Sequence, residues 1–215
     1  LVSANGYDLI LADANSGSSS VFIHHRSEIV QVATSQNSCE WIIIADRDAY
    51  LTLYHQDKFK FTLQTFMKSI TCLSMNFGFR EVVCGTSDNA LLFCSITSNY
   101  LSIFRVVELE EGYQPNKIII TNCWGFVVVY MTKINERKLN HYLALYSING
   151  DLIKRVEIGF QIQQLETYSS NDGFDFVIAR DDAFNLYSFE AFYLDIKNPF
   201  YNNNDSSLSS LLIIP

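Results

Sequence analysis

Three observations in the sequence predict an all-β fold assembled from repeated four-stranded units. The first is composition: of 215 residues, 48% are hydrophobic and 14% aromatic, a Val/Ile/Leu/Phe/Tyr-rich mixture that suits strands better than helices. The second is a recurring phrase of strand, Asp-rich turn and strand. It reads "IIIADRDAYLTLYH" at 42–55, "VVCGTSDNALLFCS" at 82–95 and "VIARDDAFNLYS" at 177–188. A longer version, "VVVYMTKINERKLNHYLALYS" at 127–147, carries a charged insertion. The third is register. With the ends of the second strands aligned at Tyr54, Cys94, Tyr146 and Tyr187, an Asp or Asn stands six positions earlier, at Asp48, Asp88, Asn140 and Asp181.

Each unit fills out in order. A short apolar strand comes first: "IVQVAT", "ITCLSM", "KIIITN" and "IQQLETY". The paired strands follow, and a fourth strand closes the unit: "FKFTLQTF", "YLSIFRVVEL", "GDLIKRVEI" and "AFYLDIK". Asn149-Gly150 is the hairpin signal between the third and fourth strands of the third unit, because both turn positions require φ > 0. Four strands at a period of about forty residues predict a WD40-type β-propeller, whereas a sandwich has turn signals without that long period. The expected organisation is a remnant blade at 1–27, blades at 28–67, 68–109, 115–158 (with the insertion at 131–140) and 162–197, a flexible loop at 198–208, and the first strand of a further blade at 209–215. The expectation is four recognisable four-stranded blades with partial blades at both ends.

Asp48, Asp88, Asn140 and Asp181 are expected in the turns between second and third strands, where a short oxygen-bearing side chain accepts bonds from nearby backbone N–H groups. In WD repeats this Asp joins a histidine, a Ser/Thr and a Trp in a buried network. The first unit alone offers a histidine, His24 or His25, and the Trp-Asp dipeptide is replaced by Tyr54-His55, Cys94-Ser95, Tyr146-Ser147 and Tyr187-Ser188.

Charge and cysteine usage bound the function. A formal net charge of −8 repels phosphates and excludes a general nucleic-acid binder. The cysteines at 39, 72, 84, 94 and 123 include no C-x-x-C, are odd in number and mostly sit in apolar runs, as expected of buried thiols in a reducing, cytoplasmic compartment. No apolar run is long enough to span a bilayer. The N-terminal stretch lacks the basic and apolar regions of a signal peptide, and the chain reads as a piece of something longer.

The string "ITCLSMNFGFREVVCGTSDNALLFCSI", followed in the next unit by "LYSINGDLIKRVEI", resembles the WD-repeat segment that follows the BEACH domain in the neurobeachin and Chediak–Higashi type of protein. The resemblance runs in order through about residues 24–190. It implies a seven-blade ring of which this chain is a fragment, a BEACH domain encoded upstream, work in membrane trafficking, vesicle fusion or lysosome and autophagy-related processes, and indirect membrane association.

Candidate chemistry is sparse. Asp46 with Asp48, and Asp181 with Asp182, could hold a hard cation or supply an acid and a base. One Asp of each pair is already accounted for by the repeat. His24 and His25 are adjacent on a strand end and point to opposite faces, poor geometry for one metal, and His55 and His141 are isolated. Glu108, Glu110 and Glu111 in "VELEEGYQP" form a candidate interaction loop for a basic partner. The expectation is a non-enzymatic protein–protein interaction scaffold, with no cofactor, metal, nucleic acid or small-molecule substrate, binding other proteins through its loops. The alternatives are a WD propeller of an unrelated cytosolic complex and a propeller hydrolase using the Asp pairs.

Overall fold

The computed structural model describes residues 2–12, 16–35, 40–56, 58–76, 78–97, 99–135 and 138–196. The loop expected at 198–208 and the strand expected at 209–215 lie outside the described residues. Two compact units divide the chain, Leu1–Ile118 and Ile119–Pro215.

The first unit holds three antiparallel meanders. They are β1 (Val2–Asn5), β2 (Asp8–Ala12) and β3 (Ser19–His24); then β4 (Ile29–Thr34), β5 (Trp41–Asp46), β6 (Tyr50–His55) and β7 (Lys58–Gln64); then β8 (Ile70–Asn76), β9 (Glu81–Thr86), β10 (Ala90–Ile96) and β11 (Leu101–Glu108). A fourth meander contains β12 (Tyr113–Ile120), in which the unit boundary falls, with β13 (Val127–Asn135), β14 (Lys138–Tyr146) and β15 (Leu152–Ile158). The last contains β16 (Ile162–Ser169), β17 (Asp175–Asp181) and β18 (Leu186–Glu190). The charged insertion lengthens β13 and β14 to 9 residues each.

The expectation of four four-stranded blades, with partial blades at both ends of a fragment of a seven-blade ring, is corrected by this topology. There are five sheets among the described residues, two of them three-stranded. The N-terminal stretch is a sheet in its own right, and its Leu9 and Ile23 are buried with Ile42 and Ile44 of β5. At the other end, residues expected as a fourth strand coil instead. The Leu194 N–H donates to the Glu190 carbonyl at 3.2 Å, and Leu194 adopts φ 47° and turns into the core, 2% exposed. Burying that leucine side chain, worth about 1.5–3 kcal/mol, outweighs continuing an edge strand.

Apolar alternation explains where each unit's core sits. In the first unit Ile43, Leu51, Leu53, Val82, Cys84 and Leu92 pack between the second and third sheets. In the second unit Val128, Leu143, Leu145, Val177, Ala179 and Phe189 do the same between its two sheets. The inner strands are buried on both faces, β9 along its whole length, so they read as continuous apolar runs. Gly85 on β9 is required by close approach: a Cβ there would lie 2.6 Å from Cys72 Sγ and 2.7 Å from the Pro115 ring.

Candidate functional site

One turn format recurs through both units, and it governs where the polar side chains point. A short side-chain oxygen at the first position accepts the backbone N–H four residues on: Asp46 from Tyr50 at 2.9 Å, Thr86 from Ala90 at 3.3 Å, Ser147 from Asp151 at 3.1 Å, Ser170 from Phe174 at 3.2 Å and Asp181 from Asn185 at 2.7 Å. The residue just before that N–H is left-handed in every case: Ala49, Asn89, Gly150, Gly173 and Phe184. This conformation twists the chain so that the next strand pairs back in register.

The repeat-defined residues fall into three roles. Asp48 accepts a bond from Ser27 Oγ at 2.9 Å, and Asp88 accepts the backbone N–H of Lys68 at 2.7 Å. Both therefore staple their turn to the segment leading into the same sheet. Asp181 instead occupies the first position of its turn, taking bonds from Asn185 and from the Tyr187 hydroxyl at 3.1 Å. Its register is thus shifted by two positions from the alignment with Asp48. Asn140 lies within β14 opposite Lys133, not in a turn.

Asp46 is the residue that alignment passed over. Fully buried, it accepts the N–H groups of Asp48 and Tyr50 and meets His25 Nε2 at 3.2 Å, while His25 Nδ1 meets the Tyr54 hydroxyl at 3.1 Å. Burial raises the Tyr54 pKa above its ordinary value and nearby Asp46 adds to the rise, against the Arg26 charge. The phenol therefore keeps its proton, and the imidazole bridges it to the Asp46 carboxylate. His24 does not share this role; it is exposed and pairs with Asp8.

The Asp pairs do not converge. Asp46 and Asp181 are buried and committed to their turns, whereas Asp48 and Asp182 are exposed. Burial raises the pKa of Asp181, but bonds from Asn185, Tyr187 and the Ala183 N–H outweigh it and leave the carboxyl below its ordinary value. No group of three or more His, Cys, Asp or Glu suited to a metal occurs among the described residues. Cys72, Cys84 and Cys94 are buried free thiols, and burial pushes Cys72 up to about 12. Glu108, Glu110 and Glu111 are exposed at the end of β11 and in the turn beyond it.

The feature with the geometry of a binding site was not visible in the sequence. In the second unit Trp124, Phe126, Phe174 and Phe192, with the carboxylates of Asp175 and Glu190, line a cleft of 250 Å³. Its rings are placed by the backbone. Trp124 donates its N–H to Asp175 at 2.8 Å and its indole Nε1–H to the Gly173 carbonyl at 2.9 Å, yet remains 64% exposed. Phe126 donates its N–H to Thr121 Oγ1 at 2.9 Å, and its ring lies 5.8 Å from that of Phe192. Phe174 ends the turn capped by Ser170.

Asp175, 3% exposed, forms the floor. Burial raises its pKa, but bonds from Ser169, Thr121 and the N–H groups of Cys123 and Trp124 win, and the carboxyl is held below its ordinary value as an anion. Among the described residues no Lys or Arg lines the cleft. The residues come from three segments, at 124–126, 174–175 and 190–192, without a spacing motif that a sequence pass could detect. A larger hollow of 610 Å³ in the same unit is lined by Lys154, Glu157, Phe160, Tyr187, Tyr193 and Asp195 among others. Its one cation, Lys154, donates to the Tyr193 carbonyl.

No family model matches the chain, and no curated protein matches it. Solved structures do. The β-propeller domain of Cps50 (Swd1) from Myceliophteria thermophila superposes with a TM-score of 0.65 at 11% identity, over 88% of this chain and 61% of that one. The N-terminal domain of Nup159 superposes with a TM-score of 0.64 at 8% identity, over 94% of this chain and 60% of its own. The chain thus spans about three-fifths of the length of these structures. Nothing in these comparisons points to BEACH proteins in particular. No helix among the described residues is long and apolar enough to cross a membrane. Among the described residues the fold is an all-β propeller with five blades of three or four strands.

Proposed function

We propose that the chain is a non-enzymatic interaction module, binding other proteins through surfaces carried on a propeller scaffold. The observation that carries this reading is the cleft of the second unit. Exposed Trp124, Phe174 and Phe192 line it with half-buried Phe126 beside Asp175 and Glu190, and Trp124 is tied by its backbone N–H and its indole N–H while remaining exposed. Exposed, pre-positioned aromatics are what partners use as anchors, because little side-chain entropy is lost on contact. The exposed Glu108, Glu110 and Glu111 add a second, anionic surface in the first unit. Replacing all three by Lys should leave the melting temperature within about 2 °C, as exposed substitutions do. It should cut recovery of cross-linked partners by roughly tenfold. Unchanged recovery would remove the loop from the binding surface.

Within that class the BEACH-type trafficking module is the finer reading, supported by the paired strings at 70–96 and 145–158. The intact protein would then associate with membranes through its other parts. Sequencing the transcript upstream of Leu1 tests this reading: an in-frame BEACH domain is the expected result. A complete transcript without one would overturn the trafficking role while leaving the interaction module standing.

A further inference from the structure

We propose that the cleft of Trp124, Phe126, Phe174 and Phe192 binds the methylated ammonium head of a lysine in a partner polypeptide. The inference rests on the reading of the chain as an interaction module and names the ligand class of one surface. Its lining includes four aromatic rings, a class of group whose quadrupole attracts a cation, and Trp is the strongest of them. Its floor is the carboxylate of Asp175, kept ionised at neutral pH, with Glu190 on the wall. At 250 Å³ the space is below the usual range for a whole small molecule and suits a single side-chain head.

The hydrogen-bond inventory separates one cation from another. Both oxygens of Asp175 are occupied by protein donors, Ser169 and Cys123 on Oδ1, Cys123 and Trp124 on Oδ2. Asp175 therefore supplies charge but no free acceptor. A guanidinium with five N–H donors, or an ammonium with three, would press donors against ring faces with Glu190 alone to meet them, and a buried unmet donor is costly. A trimethylammonium carries the charge without any N–H, and its methyl groups pack on the rings. A phosphocholine head has the same cation, but its phosphate would be brought toward Asp175 and Glu190, with no Lys or Arg among the described residues lining the site. This favours the polypeptide source.

The test is an NMR titration of the ¹⁵N-labelled chain. With Trp41 and Trp124 the only tryptophans, the Trp124 indole signal is identified by its loss in Trp124→Phe. The probes are a short Gly/Ser peptide bearing a central trimethyl-lysine, the same peptide with Lys, Arg or the uncharged tert-butyl isostere, and free phosphocholine. The expected result is a shift of the Trp124 but not the Trp41 indole, with trimethyl-lysine bound at least tenfold more tightly than every other probe. Glu190→Gln and Phe192→Ala, both at sites that are not fully buried, should weaken that binding at least threefold and tenfold, with the rest of the spectrum unchanged. Equal binding of the tert-butyl isostere would overturn the proposal by making the cleft merely apolar. Preference for Lys or Arg would overturn the hydrogen-bond argument, and preference for phosphocholine would assign the cleft to a lipid head instead. If no probe moves Trp124, the ligand class falls, while the interaction-module reading is judged separately by the Glu108, Glu110 and Glu111 variant.

Discussion

Asp46→Ala should lower the unfolding free energy by about 3–5 kcal/mol, whereas Asp48→Ala, two residues away, should cost less than about 1 kcal/mol. The contrast follows from what each carboxylate touches. Removing Asp46 releases the N–H groups of Asp48 and Tyr50 and strips His25 Nε2 of its partner inside the core. Asp48 makes one exposed bond to Ser27, and water replaces it. Urea denaturation of the two variants gives both values, and a His25→Ala, Asp46→Ala cycle should return a coupling of about 1–3 kcal/mol. Equal losses for the two aspartates would overturn the assignment of the turn's stability to the buried one.

Glu81→Gln should stabilise the protein in alkaline solution and flatten its dependence on pH. Glu81 starts β9, is 3% exposed, and neither carboxyl oxygen has a partner among the described residues. Burial alone pushes its pKa up to about 8 from 4.5. The folded chain therefore keeps this proton up to about pH 8, while the unfolded chain releases it near 4.5. The contribution is fully present below the unfolded value and is lost as pH rises through the folded one. Linkage bounds the loss at about 5 kcal/mol. Water reaching the end of the strand reduces it to about 2–3 kcal/mol by pH 9. The glutamine variant, with no proton to lose, should match the wild type near pH 5 and exceed it by about that amount at pH 9 in thermal melts. A wild-type curve that stays flat between these limits would contradict the burial of an unpartnered carboxyl.

The strands were legible because their evidence is local and periodic. The phrases at 42–55 and 82–95 became β5–β6 and β9–β10, and Asn149-Gly150 became the turn from β14 to β15. Blade composition was less legible. Residues 191–194 carry the apolar content of a strand, but Leu194 is worth more buried in the core than exposed along an edge. Register within the turns was misread where two aspartates compete. In "DRD" the first is buried, whereas aligning on Tyr54 and Tyr187 picks out the second Asp of one turn and the first of another. The cleft was not legible at all, because Trp124, Phe174 and Phe192 meet only after three segments have folded against one another.

The recurring turn has a consequence for how such a chain ages. Its chemical demand is one acceptor oxygen at the first position and one left-handed backbone at the fourth. Here Asp, Thr and Ser satisfy the first, and Ala, Asn, Gly and Phe all occupy the second. Holding a non-glycine residue left-handed costs about 1–2 kcal/mol, an amount a well-packed hairpin tolerates. Mutation can therefore wander through a wide set of residues without unmaking the bend. Likeness among the blades fades from the letters long before it fades from the path of the backbone, and that path still superposes on another propeller at 11% identity.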